Sequence, residues 1–119
     1  MASIGVDIVE IERVESAIKQ WGGRFLNRIY TEAELKICQG RFLSLAARFA
    51  AKEAIMKTLG TGAKGVSWRE IEILADAHGK PLVTLYGRAK SKAEELNLSE
   101  FSVSLSHTKQ YAVAAAIGT

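Results

Sequence analysis

The chain has 119 residues, 48% of them hydrophobic and 8% aromatic, and its 16 basic and 13 acidic side chains leave a net charge of +3. That length is one domain, residues 1–119, with a modest core, and no apolar run nears the roughly 18 residues of a membrane span. The first residues lack the basic lead of a secretory signal, and the single cysteine, Cys38, excludes an intrachain disulfide. The expectation is a soluble cytoplasmic protein that does not associate with membranes. Cys38, His78 and His107 are too few and too dispersed for a zinc site. The mild positive charge admits an acidic partner (nucleic acid, anionic lipid or acidic protein) without choosing among them.

Ile4-Gly5-Val6-Asp7-Ile8-Val9 predicts a strand over about residues 4–9. Asp7 is out of place there, because aspartate is disfavoured in strands and a buried carboxylate needs a partner, a hydrogen-bond cage or a metal. It serves equally well as a cap for the helix that follows. Ile11, Val14, Ile18 and Trp21 recur at helical spacing, and Gly22-Gly23 ends that helix. Thr31-Glu32-Ala33-Glu34 has the form of a capping box.

A longer helix is predicted over residues 41–59, with an apolar stripe of Phe42, Leu45, Ala46, Phe49 and Met56, and Gly60 stands at its left-handed C′ position. Phe49, Glu53 and Lys57 lie four apart and share a face, which sets Glu53 near the boundary of core and solvent. A plain surface Glu–Lys pair, worth about 0.2–0.5 kcal/mol, accounts for that spacing too. Lys52 is expected in solvent.

Residues 60–65, Gly-Thr-Gly-Ala-Lys-Gly, fit G-x-G-x-x-G, but they follow a helix where a dinucleotide fingerprint follows a strand. Val66 and Ser67 also rule out a Walker A loop. What remains is a loop whose amides and Lys64 suit a phosphate, or an ordinary helix exit. Residues 71–74 and 82–85 are predicted strands joined through Asp76-Ala77-His78-Gly79-Lys80, and residues 87–96 are predicted helical.

Residues 102–105 alternate as a half-buried strand does. Residues 111–117 are almost wholly apolar, which predicts a strand covered on both faces, in part by another copy of the chain. Ser106, His107, Thr108 and Lys109 fall in the turn between these strands, either gripping phosphate oxygens or forming a polar hairpin turn. No G-x-S-x-G elbow is present, and adjacent Ser106 and His107 cannot readily face each other, which excludes a serine hydrolase. Hairpins mixed with helices argue for an α+β fold.

Three segments together carry a resemblance: Ile4-Gly5-Val6-Asp7-Ile8; Arg48-Phe49-Ala50-Ala51-Lys52-Glu53-Ala54 with Lys57; and Ser104-Leu105-Ser106-His107-Thr108 with Tyr111-Ala112. In order, spacing and length the chain resembles the small holo-acyl-carrier-protein synthases of the 4′-phosphopantetheinyl transferase superfamily. The resemblance implies an antiparallel sheet with a long helix packed on it, in a homotrimer with active sites between subunits. It implies transfer of 4′-phosphopantetheine from coenzyme A to a serine of apo acyl carrier protein, for fatty acid biosynthesis, with adenosine 3′,5′-bisphosphate as second product.

The resemblance makes Asp7 and Glu53 magnesium ligands and places Lys57 on the coenzyme A phosphates. Gly60, Gly62 and Lys64, with Ser106, His107 and Thr108, would line the coenzyme A site, His107 near the adenosine. Arg13, with Arg24 and Arg28, would receive the acidic carrier protein. Glu53, directly or through a metal-bound water, is the candidate base for the serine proton. Met56 and Cys38 depart from the pattern without touching this chemistry.

Two rivals fare worse. A nucleic-acid module would need a binding motif, stacking aromatics or a dense basic stripe. An inactive carrier-binding homologue would keep Arg13 without needing Asp7, Glu53 and Lys57 together.

Overall fold

Strand β1 (Ser3–Glu10) leads without a loop into helix α1 (Ile11–Trp21), and Gly22, at φ 55°, turns the chain into helix α2 (Gly23–Ile29). Helices α3 (Glu32–Cys38) and α4 (Phe42–Leu59) follow. A short 3₁₀ turn over Trp68–Glu70 then opens the hairpin β2 (Ile71–Ala75) and β3 (Pro81–Leu85), and helix α5 (Gly87–Glu95) precedes the hairpin β4 (Phe101–His107) and β5 (Tyr111–Gly118). This is a computed structural model, and it describes residues 1–62 and 64–119; Ala63, part of the loop singled out above, lies outside the described residues.

The strands make two antiparallel sheets, one in the order β1-β5-β4 and the other the β2-β3 hairpin. Helix α4 lies across β1 and β5. Its alanines 50, 51 and 54, with Ile55, Met56 and Leu59, meet Ile71, Ile73, Val103, Ala114 and Ala116 in the main core. Gly5 lets β1 approach this closely: a Cβ there would run into the Ala54 carbonyl oxygen and stand 3.1 Å from Lys57 Cβ. The second core joins Val14, Ile29, Tyr30 and Cys38 to the first half of α4. Cys38 is fully buried, and burial pushes its thiol above the usual range. No helix among the described residues is long and apolar enough to cross a membrane.

Several sequence expectations are met. The capping box forms, Thr31 N donating to Glu34 Oε1 (2.9 Å) and Glu34 N to Thr31 Oγ1 (3.2 Å). Helix α4 ends on Gly60 at φ 72°, the left-handed conformation that only glycine adopts freely.

Two elements add to the sequence reading and one expectation is corrected. Residues 23–29 form α2, whose seven residues make too short a periodic pattern to stand out in the sequence. In β5, Ala112, Ala114 and Ala116 are buried while Tyr111, Ala115 and Ile117 are exposed, so within a single chain one face of the strand is covered and the other is the face left to another copy. Alanine on both faces hides that alternation.

Lys52 is the correction. It is fully buried, not in solvent, because its ammonium stands 2.7 Å from Glu34 Oε1. It also donates to the Trp68 carbonyl (3.0 Å) and the Ile71 carbonyl, with the Tyr30 ring 5.9 Å away. Burial pulls the Lys52 ammonium below its ordinary range, and the Glu34 carboxylate opposes that pull.

Candidate active site

Side chains alternate along β1, so Gly5, Asp7 and Val9 face α4 while Ile4, Val6 and Ile8 face away. Asp7 therefore meets the helix face that carries Glu53 and, one turn on, Lys57. The Lys57 ammonium donates to the Val6 carbonyl (2.8 Å) and to Asp7 Oδ1 (3.3 Å). Glu53 is half-buried. Burial pushes its carboxyl above the usual range, the Asp7 carboxylate beside it adds to the shift, and Lys57 opposes it. Two acids and an amine from segments about fifty positions apart in the chain thus converge, as neither a helix cap nor a surface Glu–Lys pair would require.

The acids open onto a cleft of about 350 Å³ whose walls include Arg13, Val14, Phe25 and Phe49. Phe49 lies between two rings, Phe25 with a centroid 6.3 Å away and Trp68 at 4.7 Å. Arg13 is brought to the same cleft as Asp7 and Glu53, while Arg24 and Arg28 are exposed on α2 alongside. Phe25 and Trp68 were not singled out from the sequence. Phe25 sits in the helix that went unpredicted, and no local pattern pairs Trp68 with Phe49. A roomier cleft of about 650 Å³ between β3, α5 and β4 holds none of these charged groups.

The other half of the expected site stays apart within one chain. Along the sheet, Asp7 pairs with Ala114 and Ala114 with Leu105, whereas His107 pairs with Ala112, nearer the β4–β5 turn. His107, Thr108 and Lys109 line a separate hollow with Ile11 and Leu43. Leu43 and Glu53 are separated by roughly 15 Å along α4 at 1.5 Å per residue. Ser106 points to the opposite face of the sheet from His107. The Thr108 hydroxyl accepts from Gln110 N (3.2 Å) and Tyr111 N (3.0 Å), which accounts for its place in the turn. Gly60 and Gly62 leave α4 one turn beyond Lys57 with φ of 72° and 58°, and Lys64 is exposed.

Among the described residues, Asp7 and Glu53 are the only carboxylates lining this cleft, and no three acidic, histidine or cysteine side chains gather around a common point. Two hard oxygen ligands fit magnesium, which commonly takes one or two carboxylates and completes its shell with water and substrate phosphate. Burial is the first cause of the upward push on Glu53 and the neighbouring Asp7 carboxylate the second, and a divalent cation between the two acids would relieve the second.

The 4′-phosphopantetheinyl transferase superfamily matches residues 3–116. The holo-[acyl-carrier-protein] synthase of Herpetosiphon aurantiacus is 48% identical, over 99% of this chain and 98% of its own. That of Dehalococcoides mccartyi (strain CBDB1) is 52% identical, over 96% and 95%. Among solved structures, Helicobacter pylori holo-[acyl-carrier-protein] synthase in complex with coenzyme A superposes with a TM-score of 0.89 at 35% identity, covering 98% of this chain and 99% of that one. The enzyme of Neisseria meningitidis superposes at 0.87 with 42% identity, covering 98% and 97%.

Proposed function

The chain belongs to the 4′-phosphopantetheinyl transferase superfamily, and we propose that it works there as a holo-[acyl-carrier-protein] synthase. It moves the 4′-phosphopantetheine group of coenzyme A to a serine hydroxyl of apo acyl carrier protein and leaves adenosine 3′,5′-bisphosphate. The observation that carries the reading is the convergence of Asp7, Glu53 and Lys57, with the two acids sharing one cleft with Arg13.

Asp7 and Glu53 would hold magnesium, which when bound supplies positive charge to the pyrophosphate of coenzyme A. Lys57 has its own part: its ammonium, at the rim of the cleft, neutralises phosphate oxygens as the serine oxygen attacks and the bond to the bisphosphate breaks. Glu53, directly or through a water, would take the serine proton. Arg13, Arg24 and Arg28 steer the acidic carrier protein to the cleft. Gly60, Gly62 and Lys64 extend the phosphate-binding side from the end of α4.

Ser106, His107 and Thr108 complete the coenzyme A site from a neighbouring copy in a homotrimer. Two features support this: their separation from Asp7 in one chain, and the open outer face of the sheet. There Ile4, Val6 and Ile8 are 73%, 56% and 61% exposed, beside Ile117 at 39%. A contiguous apolar face of that kind suits an interface. We assign the enzyme to the cytoplasm, where holo carrier protein serves fatty acid biosynthesis.

The test mixes the protein with coenzyme A, magnesium and apo acyl carrier protein and weighs the carrier by mass spectrometry. A gain of one phosphopantetheine on the carrier serine is expected, and an unchanged mass overturns the reading.

A further inference from the structure

Lys52 is next to Glu53 in sequence, but its pair with Glu34 takes no part in the chemistry of the proposed site. Both side chains are fully buried. Glu34 Oε1 accepts from Thr31 N and faces Lys52 Nζ, while Oε2 accepts from Ile73 N (2.7 Å). Lys52 donates further to the carbonyls of Trp68 and Ile71. One ammonium thus ties α4 to α3, to the 3₁₀ turn and to β2.

A buried ion pair is a weak source of stability, because hydrophobic residues of similar volume often replace it without loss. What it does supply is a geometry met in only one arrangement. That matters on α4, where Ala46, Ala47, Ala50, Ala51 and Ala54 are buried and so many small side chains would pack almost equally well after a modest rotation of the helix. Lys52 and Glu53 are consecutive and so point about 100° apart on a helix of 3.6 residues per turn. Pinning Lys52 to Glu34 therefore fixes the direction of Glu53 towards Asp7. The Trp68 carbonyl held by Lys52 belongs to the residue whose ring stacks on Phe49, one turn before Glu53 on the cleft wall.

We propose that Lys52 and Glu34 are positioning residues: they set the rotation of α4 that presents Glu53 to Asp7 and to the divalent cation those acids share. This rests on the function proposed above. The test compares wild type with the double variant Lys52→Met/Glu34→Gln, which removes both charges at similar volume. Circular dichroism and oligomeric state first establish that it folds. Expected results are a kcat lower by roughly tenfold to a hundredfold and Mn²⁺ affinity, measured directly by calorimetry without coenzyme A, weaker by roughly tenfold. The KM for carrier protein should stay close to wild type.

A folded variant with unchanged kcat and unchanged Mn²⁺ affinity makes the pair structural only and overturns the proposal. Should the double variant fail to fold, Glu34→Gln alone is judged by the same two measurements and the same criteria. If wild type transfers no phosphopantetheine, the functional reading falls and the Mn²⁺ comparison still decides the positioning role. A wild type that neither transfers nor binds Mn²⁺ overturns both.

Discussion

Lys57 Nζ on α4 stands 3.3 Å from Asp7 Oδ1 on β1, fifty positions earlier in the chain, and is held there by the Val6 carbonyl at 2.8 Å. The pair is partly exposed, Lys57 more than Asp7, so it adds little to stability. Its importance is the placement of one positive charge at the rim of a two-carboxylate cleft. Lys57→Met should therefore leave thermal unfolding nearly unchanged. It should lower kcat/KM for coenzyme A by about 10²–10³, the usual loss when one charge-stabilising donor is removed. Steady-state kinetics with varied coenzyme A check this, and a wild-type value would remove Lys57 from the site.

The pKa of Glu53 makes a second prediction, about stability. Its folded value lies above the ordinary 4.5, first through burial and then through Asp7. A carboxyl shifted upward binds its proton more tightly in the folded than in the unfolded state. Stability from this group is therefore greatest below the ordinary value and falls as pH rises through the window up to the raised one. At pH 7 the ionised Glu53 is a net cost. Glu53→Gln should abolish turnover yet melt at a higher temperature than wild type at pH 7, with the advantage gone by about pH 4. Melting curves across that range decide it; a variant less stable at pH 7 would contradict the assigned shift.

Arg13 lines the cleft but touches neither acid by any ion pair among the described residues. Its substitution should act on capture. Arg13→Glu should raise KM for carrier protein by about tenfold or more at low salt, since like charge is then set against an acidic partner. The difference from wild type should narrow as ionic strength rises. KM for coenzyme A should not move, and a change confined to coenzyme A would misplace this surface.

Gly5 lets strand β1 pack closely on α4. With its Cβ driven into the Ala54 carbonyl, Gly5→Ala must push β1 off α4, at a cost of about 1–3 kcal/mol by analogy with overpacked cores. Asp7 is two residues along on the same face, so the variant should lose activity even at temperatures where it remains folded. Equilibrium unfolding and turnover on the same preparation check both halves. Full activity with a lowered melting temperature would uncouple Gly5 from the site.

Much of this architecture was readable in the sequence where the signal is local. Thr31 and Glu34 announce a helix start by being three apart, and Gly60 announces an end by what its backbone must do. The catalytic candidates were readable only as a set. Asp7 alone could be a cap and Glu53 alone a surface acid, and it is the packing of β1 on α4 that joins them.

Lys52 was misjudged because its partner is Glu34, on another helix, and no spacing rule connects them. Glu34 itself looked like a capping acid and is one, but its second oxygen and its burial depend on β2 and α4. Residues 111–117 were ambiguous for a different reason. Alanine is small enough for either face of a sheet, so apolar content did not distinguish a strand covered twice from one covered once.

That half-covered strand reaches beyond the single molecule. Under the proposed assembly, the face formed by Ile4, Val6, Ile8 and Ile117 joins the copies whose separate half-sites must meet. Halving the amount of protein then does more than halve the work it does. Specific activity should decline on dilution, and a cell that makes too little of this chain would lose catalysis before it lost the folded chain itself.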